Sequence, residues 1–311
     1  MWWIVILIIL AVLFIAFCAL SVGMAHYAAY GKRSTLKESW DWQMNLCDDI
    51  HYLSMENDFE HYTIPSYDGY IIHCSLLTVA KAAQKDIKTD RYVILCHGYT
   101  DARYGMLKYL PVFSGLDFNV VLYDERGHGE NKKAPCSFGI REAKDLAEVI
   151  KDTRNRYGKD IKLGIMGESL GGGTVMTALK YKPEVDFCIE DCGFADIVNV
   201  LEKGVKDTFK GIPSGIVGPA SIAAKICYGE SFKAARPIDS LYDNEIPFLV
   251  MHGGGDDFIT PDNGKRVYDA DKGYKEICII DGAEHASSVI KDRKKYIEVA
   301  QKFIKKVLQE A

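Results

Sequence analysis

A serine set between glycines is the residue pattern with the clearest chemical meaning in this chain. Ser169 stands in Gly167-Glu168-Ser169-Leu170-Gly171, after an apolar run and before a stretch of helical composition. A strand that turns sharply into a helix holds the serine hydroxyl outward, and it needs glycine on each side because side chains there would collide with neighbouring backbone. An N-capping serine is the structural alternative. The strand, turn and helix pattern favours a catalytic nucleophile.

A serine hydroxyl becomes a good nucleophile when a base accepts its proton and a third group orients that base. His285 is the best candidate for the base because it lies in a polar turn after the last predicted strand, where loops meet ligand. The acid is expected in the glycine-rich turn after another strand. That turn contains adjacent Asp256 and Asp257, of which Asp256 is preferred and Asp257 stays open.

Acyl transfer also requires N–H groups that stabilise the tetrahedral oxyanion. Leu170 directly follows the serine, so its amide is one predicted donor. The second is predicted at Tyr99, in the loop after the strand expected at 92–96. His97 in the same loop is interpreted as orienting it, and the charged turn at 123–130 as structural.

The elements that must position these groups follow an alternating pattern of strands and helices. Two strand-like runs around Asp68-Gly69 predict an N-terminal hairpin. Later βα units predict an α/β fold whose sheet has eight mainly parallel strands, with helices on both faces. The chain between the strands expected at 185–189 and 247–251 lacks a strand pattern, which predicts a small helical cap at about 195–239.

The N-terminal residues 1–25 carry no charged side chain. About 20 apolar residues cross the roughly 30 Å hydrocarbon layer of a bilayer. Aromatic residues typical of membrane interfaces flank the run at Trp2, Trp3, Tyr27 and Tyr30. A cleaved signal peptide is the alternative, but its basic leading region is missing. We therefore expect an uncleaved transmembrane anchor.

The expected organisation is an anchor at 1–27, a helical stalk at 28–57 and a catalytic domain at 58–311. Basic residues follow the apolar run closely, which favours a cytoplasmic catalytic domain: Lys32, Arg33 and Lys37. Nine cysteines scattered singly agree with a reducing compartment.

Composition excludes several other classes of protein. Lysine and arginine number 38 against 43 acidic residues, so no basic excess supports nucleic-acid binding. The cysteines form no C-x-x-C pair and suggest neither a zinc site nor a disulfide framework. We expect no metal and no organic cofactor, and the oligomeric state stays open.

Five motifs in this order resemble the α/β-hydrolase superfamily, over about residues 58–309: His97-Gly98-Tyr99, Asp124-x-Arg126-Gly127-His128-Gly129, Gly167-x-Ser169-x-Gly171, His252-Gly253-x-x-Asp256 and Gly282-Ala283-x-His285. More narrowly they resemble serine aminopeptidase S33-like or monoacylglycerol-lipase-like hydrolases, which include membrane-anchored bacterial forms. The resemblance implies the α/β-hydrolase fold, with Ser169 as nucleophile, His285 as base and Asp256 as its orienting acid. It also implies an oxyanion hole at the amides of Tyr99 and Leu170. Asn131 stands where the second motif usually continues with serine, a change that we expect to be tolerated.

The predicted function is hydrolysis of carboxylic esters, acyl or lipid-like, through an acyl-enzyme intermediate. A serine peptidase or amidase is the alternative enzyme, because the same groups attack both bonds. A membrane-tethered binding protein with a decayed hydrolase fold is the alternative of another class. The intact serine, histidine and aspartate motifs disfavour it.

Overall fold

A computed structural model describes residues 2–84 and 86–309. The strands of these residues form one eight-stranded sheet in the order β1-β2-β4-β3-β5-β6-β7-β8. The strands are β1 Phe59–Pro65, β2 Ile71–Leu77, β3 Arg91–Cys96, β4 Asn119–Tyr123, β5 Lys162–Glu168, β6 Phe187–Asp191, β7 Phe248–Gly253 and β8 Lys275–Ile280. Strand β2 is antiparallel to both of its neighbours, and all other pairs are parallel. The predicted hairpin and mainly parallel sheet are confirmed.

Helices cover both faces of the sheet. They are α1 Trp2–Ala29, α2 Leu36–Leu46, α3 Val79–Ala82, α4 Leu110–Ser114, α5 Glu142–Tyr157, α6 Leu170–Ala178, α7 Ile197–Thr208, α8 Val217–Tyr228, α9 Pro261–Ala270, α10 Ser288–Lys291 and α11 Arg293–Val307. Short 3₁₀ turns connect several of them, the longest being Arg103–Tyr109. Met1 of the predicted anchor and residues 310–311 of the predicted catalytic domain lie outside the described residues.

Strand periodicity divides the core into two layers. In β3, Val93 and Leu95 belong to the apolar cluster on one face, which includes Phe303, whereas Ile94 belongs to the cluster on the other face, which includes Val149. Successive side chains of a strand point to opposite faces, so a strand between two helical layers must be apolar throughout. This is why β3 and β4 are continuous apolar runs.

The predicted cap region contains α7, α8 and several 3₁₀ turns, without a strand, between β6 and β7. Its helices pack on each other and on a small apolar cluster that includes Leu170 and Phe194, next to the start of α6. The insertion therefore lies over the end of β5, where the serine turn is.

The segment predicted as a stalk packs against the catalytic domain instead of standing clear of it. It is helical at α2, whose N-cap Thr35 forms a capping box with Glu38. Cys47 and Ile50, just beyond α2, belong to the core on one face of the sheet. Charged residues with periodic apolar positions are typical of a helix. Here Leu36, Trp40 and Met44 pack against this core, whereas Trp42 is exposed.

Candidate active site

The serine turn joins β5, which ends at Glu168, to α6, which begins at Leu170. Ser169 has φ 54° and ψ −110°, a backbone conformation that is strained for a residue with a side chain. Both flanking glycines are required by close backbone approach. A Cβ on Gly167 would lie 2.0 Å from the Gly171 carbonyl oxygen, and a Cβ on Gly171 would lie 2.0 Å from that of Cys96.

Three predicted site residues meet at the carboxyl ends of the strands. The Ser169 Oγ lies 2.9 Å from the His285 Nε2, and the His285 Nδ1 lies 2.7 Å from the Asp256 Oδ2. This arrangement suits an imidazole whose Nδ1–H donates to Asp256 and whose Nε2 accepts the serine proton. The serine, the histidine and the aspartate thus form one continuous hydrogen-bonded chain.

The loop after β7 distinguishes the two adjacent aspartates. Asp256 is only 3% exposed, and its Oδ1 accepts the backbone N–H groups of Phe258 and Ile259 at 2.9 and 2.8 Å. Asp257 is exposed. The structure therefore brings Asp256, not Asp257, to His285.

The two amides predicted for the oxyanion hole lie beside the serine. Tyr99 and Leu170 both line the cavity into which Ser169 and His285 open. Leu170 is the first residue of α6, so its N–H has no acceptor within the helix. The Tyr99 N–H donates no hydrogen bond within residues 2–84 and 86–309, while the Tyr99 carbonyl accepts one from the His128 Nε2 at 2.7 Å. Both donors are free for a ligand.

The loop that carries Tyr99 is held by two buried histidines. The His97 Nε2 accepts the Glu125 N–H at 2.9 Å, which leaves the Nδ1–H to donate to the Gly98 carbonyl at 2.7 Å. Burial lowers the pKa of His97 and, more strongly, that of His128. The orienting role expected for His97 agrees with these bonds.

The cavity has a volume of about 710 Å³ and mostly apolar walls. Its floor is the serine turn, and its sides come from the cap and from the N-terminal segment. Representative wall residues are Met24, Ala28, Leu46, Val200, Leu201, Val205, Val217 and Phe258. A site of this size and polarity fits a small ligand with a substantial apolar part.

Comparisons with known proteins agree with this fold. The family model described as serine aminopeptidase, S33, matches residues 87–190. A Bacillus subtilis (strain 168) protein named YqkD, described as uncharacterized, is 29% identical over 305 residues, which cover 96% of both chains. The esterase Pf2001 of Pyrococcus furiosus superposes with a TM-score of 0.65 at 17% identity, covering 83% of this chain and 94% of that one. The α/β hydrolase GrgF of Penicillium sp. sh18 superposes with a TM-score of 0.63 at 16% identity, covering 81% and 99%.

This chain has the α/β-hydrolase fold, and its residues 87–190 match the serine aminopeptidase S33 family model. The resemblance seen in the five motifs and the predicted fold are confirmed, as is the expectation of an enzyme of the hydrolase class.

Two of the same side chains also belong to a possible metal-ligand cluster. Among the described residues, a cluster with metal-ligand spacing consists of Cys192, Asp256 and His285, whose candidate atoms lie within 4.8 Å of one another. Burial, together with neighbouring carboxylates, raises the pKa of the Cys192 thiol well above its ordinary value. A protonated thiol is a poor metal ligand, and the other two groups already share a hydrogen bond. The cluster therefore fits a proton-transfer chain better than a metal site.

Sequence reasoning missed a buried ion pair behind the serine turn of the α/β hydrolase. The Lys108 Nζ lies 2.5 Å from a Glu168 carboxylate oxygen and donates to the Ala286 carbonyl at 2.8 Å, next to His285. Burial alone would lower the pKa of Lys108, but attraction to Glu168 outweighs it and the pKa lies above the ordinary value. Lys108 thus ties the residue before Ser169 to the residue after His285. The one sequence signal for this ion pair is the position of Glu168 inside the serine motif.

The sequence also did not show that the N-terminal segment of the α/β hydrolase reaches the site. The Tyr99 hydroxyl donates to the Ala28 carbonyl at 2.6 Å and accepts the Gly31 N–H at 2.8 Å. The Arg33 guanidinium donates to the Gly127 carbonyl at 2.6 Å. These bonds connect the end of α1 to the loop that carries the Tyr99 amide.

Asn131, which departs from the usual serine, holds the charged turn at 124–131. Its side-chain oxygen accepts the His73 N–H at 2.9 Å, and its side-chain nitrogen donates to the Asp124 carbonyl at 2.6 Å. An amide can satisfy a donor and an acceptor at once, which is the physical reason to expect that the change is tolerated.

Proposed function

We propose that this chain is a serine hydrolase of carboxylic esters, with Ser169 as nucleophile, His285 as general base and Asp256 as the orienting acid. The observation that carries the proposal is the hydrogen-bonded chain from Asp256 through His285 to Ser169, at the floor of an apolar cavity. A strained serine turn, a base within hydrogen-bond distance and a buried acid are the groups that acyl transfer requires.

In the proposed reaction, the Ser169 Oγ attacks the ester carbonyl carbon while the His285 Nε2 accepts the hydroxyl proton. The amides of Tyr99 and Leu170 stabilise the negative charge that develops on the carbonyl oxygen. His285 then donates the proton to the leaving alkoxide, which departs as the alcohol. Water, deprotonated by His285, attacks the acyl-enzyme, and the acid is released as Ser169 regains its proton.

The cavity favours an ester over an aminopeptidase substrate. An aminopeptidase needs an acidic group for the free ammonium of its substrate. Two of the described residues in this cavity are carboxylates. Glu168 is paired with Lys108, so Asp101, which accepts the Ala102 N–H at 2.8 Å, is the candidate left for that role in an otherwise mainly apolar cavity. Comparing p-nitrophenyl esters with aminoacyl p-nitroanilides tests this choice. Faster cleavage of the anilides would replace the esterase proposal with the peptidase.

The decisive experiment for the nucleophile is labelling with a fluorophosphonate, which reacts with activated serines. We expect Ser169→Ala to lose both the label and ester hydrolysis, with a rate loss on the order of 10⁴-fold or more. Circular dichroism of the variant should match the wild type. The matched control is Ser240→Ala, outside the cavity lining, which should keep both the label and ester hydrolysis. Labelling of the Ser169→Ala protein at the wild-type rate would refute the assignment.

We also propose that the chain is anchored in a membrane by α1. Among the described residues, Trp2–Ala29 is a helix long and apolar enough to cross a bilayer. The last turn of this helix is bonded to Tyr99 and lines the cavity. Cleavage near residue 25 would remove part of the cavity wall, so the contacts support an uncleaved anchor over a removed signal.

A further inference from the structure

We propose that α1 is a wall of the substrate site, that the substrate enters from the membrane leaflet, and that Met24 on this helix limits the length of the acyl chain that the site accepts. This inference rests on the proposed ester hydrolysis and on the proposed anchor. It adds where the substrate comes from and which residues of the chain select it.

The length of helix that projects from the domain matches the membrane. Residues 2–20 are all exposed, whereas Ser21 is the first buried residue of α1. At a rise of 1.5 Å per residue, the exposed part extends about 28 Å, close to the roughly 30 Å hydrocarbon layer. The edge of the hydrocarbon therefore falls near Leu20.

From that point α1 is docked on the cap. Its buried residues Ser21, Ala25 and Ala29 recur every four positions, and Ala25 shares an apolar cluster with Ala220 and Ala224 of α8. Small residues at this spacing let two helices approach closely. Polar contacts add to the packing, because the His26 Nδ1 lies 2.9 Å from the Tyr228 hydroxyl. The helix and the cap thus have a defined relative position.

The same turns of α1 line the catalytic cavity. Met24, Tyr27 and Ala28 belong to its wall, together with Ser169 and His285. Met24 follows Leu20 by four residues, about 6 Å along the helix axis. The polar layer outside the hydrocarbon is about 5 to 8 Å thick on each side. The cavity wall therefore begins at the depth of lipid headgroups.

The surface next to α1 is apolar as well. On α8, Ile222 and Ile226 are 62% and 78% exposed and lie one helical turn apart. Trp42 of α2, which also borders the cavity, is 64% exposed. Exposed apolar groups of this size are typical of a membrane or protein contact. Their place beside a helix that enters a bilayer indicates the bilayer surface as the occupant.

The α1 residues in the cavity wall limit which substrates fit. An ester whose carbonyl reaches Ser169 from the leaflet can keep its acyl chain against the mainly apolar walls. The cavity, at about 710 Å³, has the size of a drug-like ligand and not of a whole two-chain lipid. The space beside Met24 therefore limits the length of the acyl chain that the site accepts.

The test uses the full chain reconstituted in phosphatidylcholine vesicles that also contain monooleoylglycerol. The measured quantity is the ratio of monooleoylglycerol hydrolysis to hydrolysis of soluble p-nitrophenyl butyrate. Met24→Trp places a larger side chain in the wall and narrows the cavity, so we expect it to lower this ratio at least tenfold. The matched control is Val22→Trp, on the same helix at an exposed position outside the cavity, which should leave the ratio unchanged.

A second variant separates a specific effect from misfolding. Met24→Ala places a smaller side chain in the wall and enlarges the cavity. Across a series of vesicle-borne monoacylglycerols, we therefore expect its optimal acyl-chain length to increase, whereas that of Met24→Trp should decrease. A misfolded protein does not gain activity on a longer chain. The inference is overturned if neither Met24 variant changes the ratio or the optimum while the wild type hydrolyses p-nitrophenyl butyrate. Absence of both fluorophosphonate labelling and ester hydrolysis in the wild type would instead refute the proposed function.

Discussion

Asp256 and Asp257 are adjacent and chemically identical, yet their surroundings give them different roles. Asp256 is buried, accepts two backbone N–H groups and lies 2.7 Å from the His285 Nδ1, while Asp257 is exposed. A carboxylate in the first position can hold one imidazole tautomer and stabilise the imidazolium that forms during acyl transfer.

We expect Asp256→Asn to lower kcat for p-nitrophenyl butyrate by on the order of 10⁴-fold, because an amide favours the wrong tautomer of His285. Asp257→Asn is the matched control and should change kcat by less than about twofold. Steady-state kinetics on both variants, with circular dichroism to verify folding, make the comparison. If Asp257→Asn caused the larger loss, the acid would be Asp257.

At the scale of elements, β6 ends with two carboxyl groups that the fold keeps from ionising freely. Burial raises the pKa of Glu190 to about 8, and burial together with the charge of Glu168 raises the pKa of Asp191 to about 7. The Glu190 Oε2 accepts the Gly193 N–H at 2.7 Å, while its Oε1 lacks a partner within the described residues. The end of β6 is therefore sensitive to pH. This strand end is next to the nucleophile, because the Asp191 carbonyl accepts the Ser169 N–H.

A carboxyl group whose pKa is higher in the folded state than in the unfolded state stabilises the folded state while it is protonated. Its contribution is complete below the unfolded pKa of about 4.3 and is lost as the pH rises through the folded value. We expect the contribution of Glu190 and Asp191 to the free energy of unfolding to fall between pH 5 and pH 8. The limiting slope is about 1.4 kcal/mol per pH unit for each such group.

Glu190→Gln removes one of these titrations, so its free energy of unfolding should fall less steeply over the same pH range. Urea unfolding at several pH values measures the slope. Glu245→Gln, at an exposed position, is the control and should run parallel to the wild type. A Glu190→Gln curve parallel to the wild type would contradict the assignment of the pH dependence to this group.

At the scale of the whole molecule, the helix that we propose as the membrane anchor also lines the cavity. The exposed part of α1 has the length of a bilayer crossing, and its last turns are bonded to the cap and to Tyr99. Any rotation of the domain relative to α1 would have to break these contacts. If α1 is the proposed anchor, it sets the distance of the cavity from the bilayer.

The side of the membrane on which the domain lies can be tested with one thiol. Basic residues after the apolar run favour the cytoplasmic side. Cys227 is exposed on α8, outside α1. A membrane-impermeant maleimide should fail to label Cys227 in intact cells and should label it once the cells are opened. Cys227→Ala identifies the labelled position, and labelling in intact cells would place the domain outside.

The sequence by itself determined the local features of this protein. Neighbouring residues determine three such features: the apolar runs of β3 and β4, the hairpin at Asp68-Gly69 and the glycine-flanked turn at Ser169. Burial on both faces of a strand and the space available at a turn depend on a few consecutive side chains. Each of the five motifs is likewise a short run of neighbouring residues, and together they were sufficient to predict the α/β-hydrolase fold.

Only the tertiary structure decided which distant groups meet. Ser169 and His285 are 116 positions apart, Lys108 and Ala286 are 178 apart, and Tyr99 lies 71 positions from Ala28. No local pattern records such pairs, because they form when separate layers pack together. The apolar positions of residues 28–57 are equally suited to an isolated helix and to a packed one. Packing on the sheet and the cap is what places the end of the N-terminal helix in the wall of the cavity.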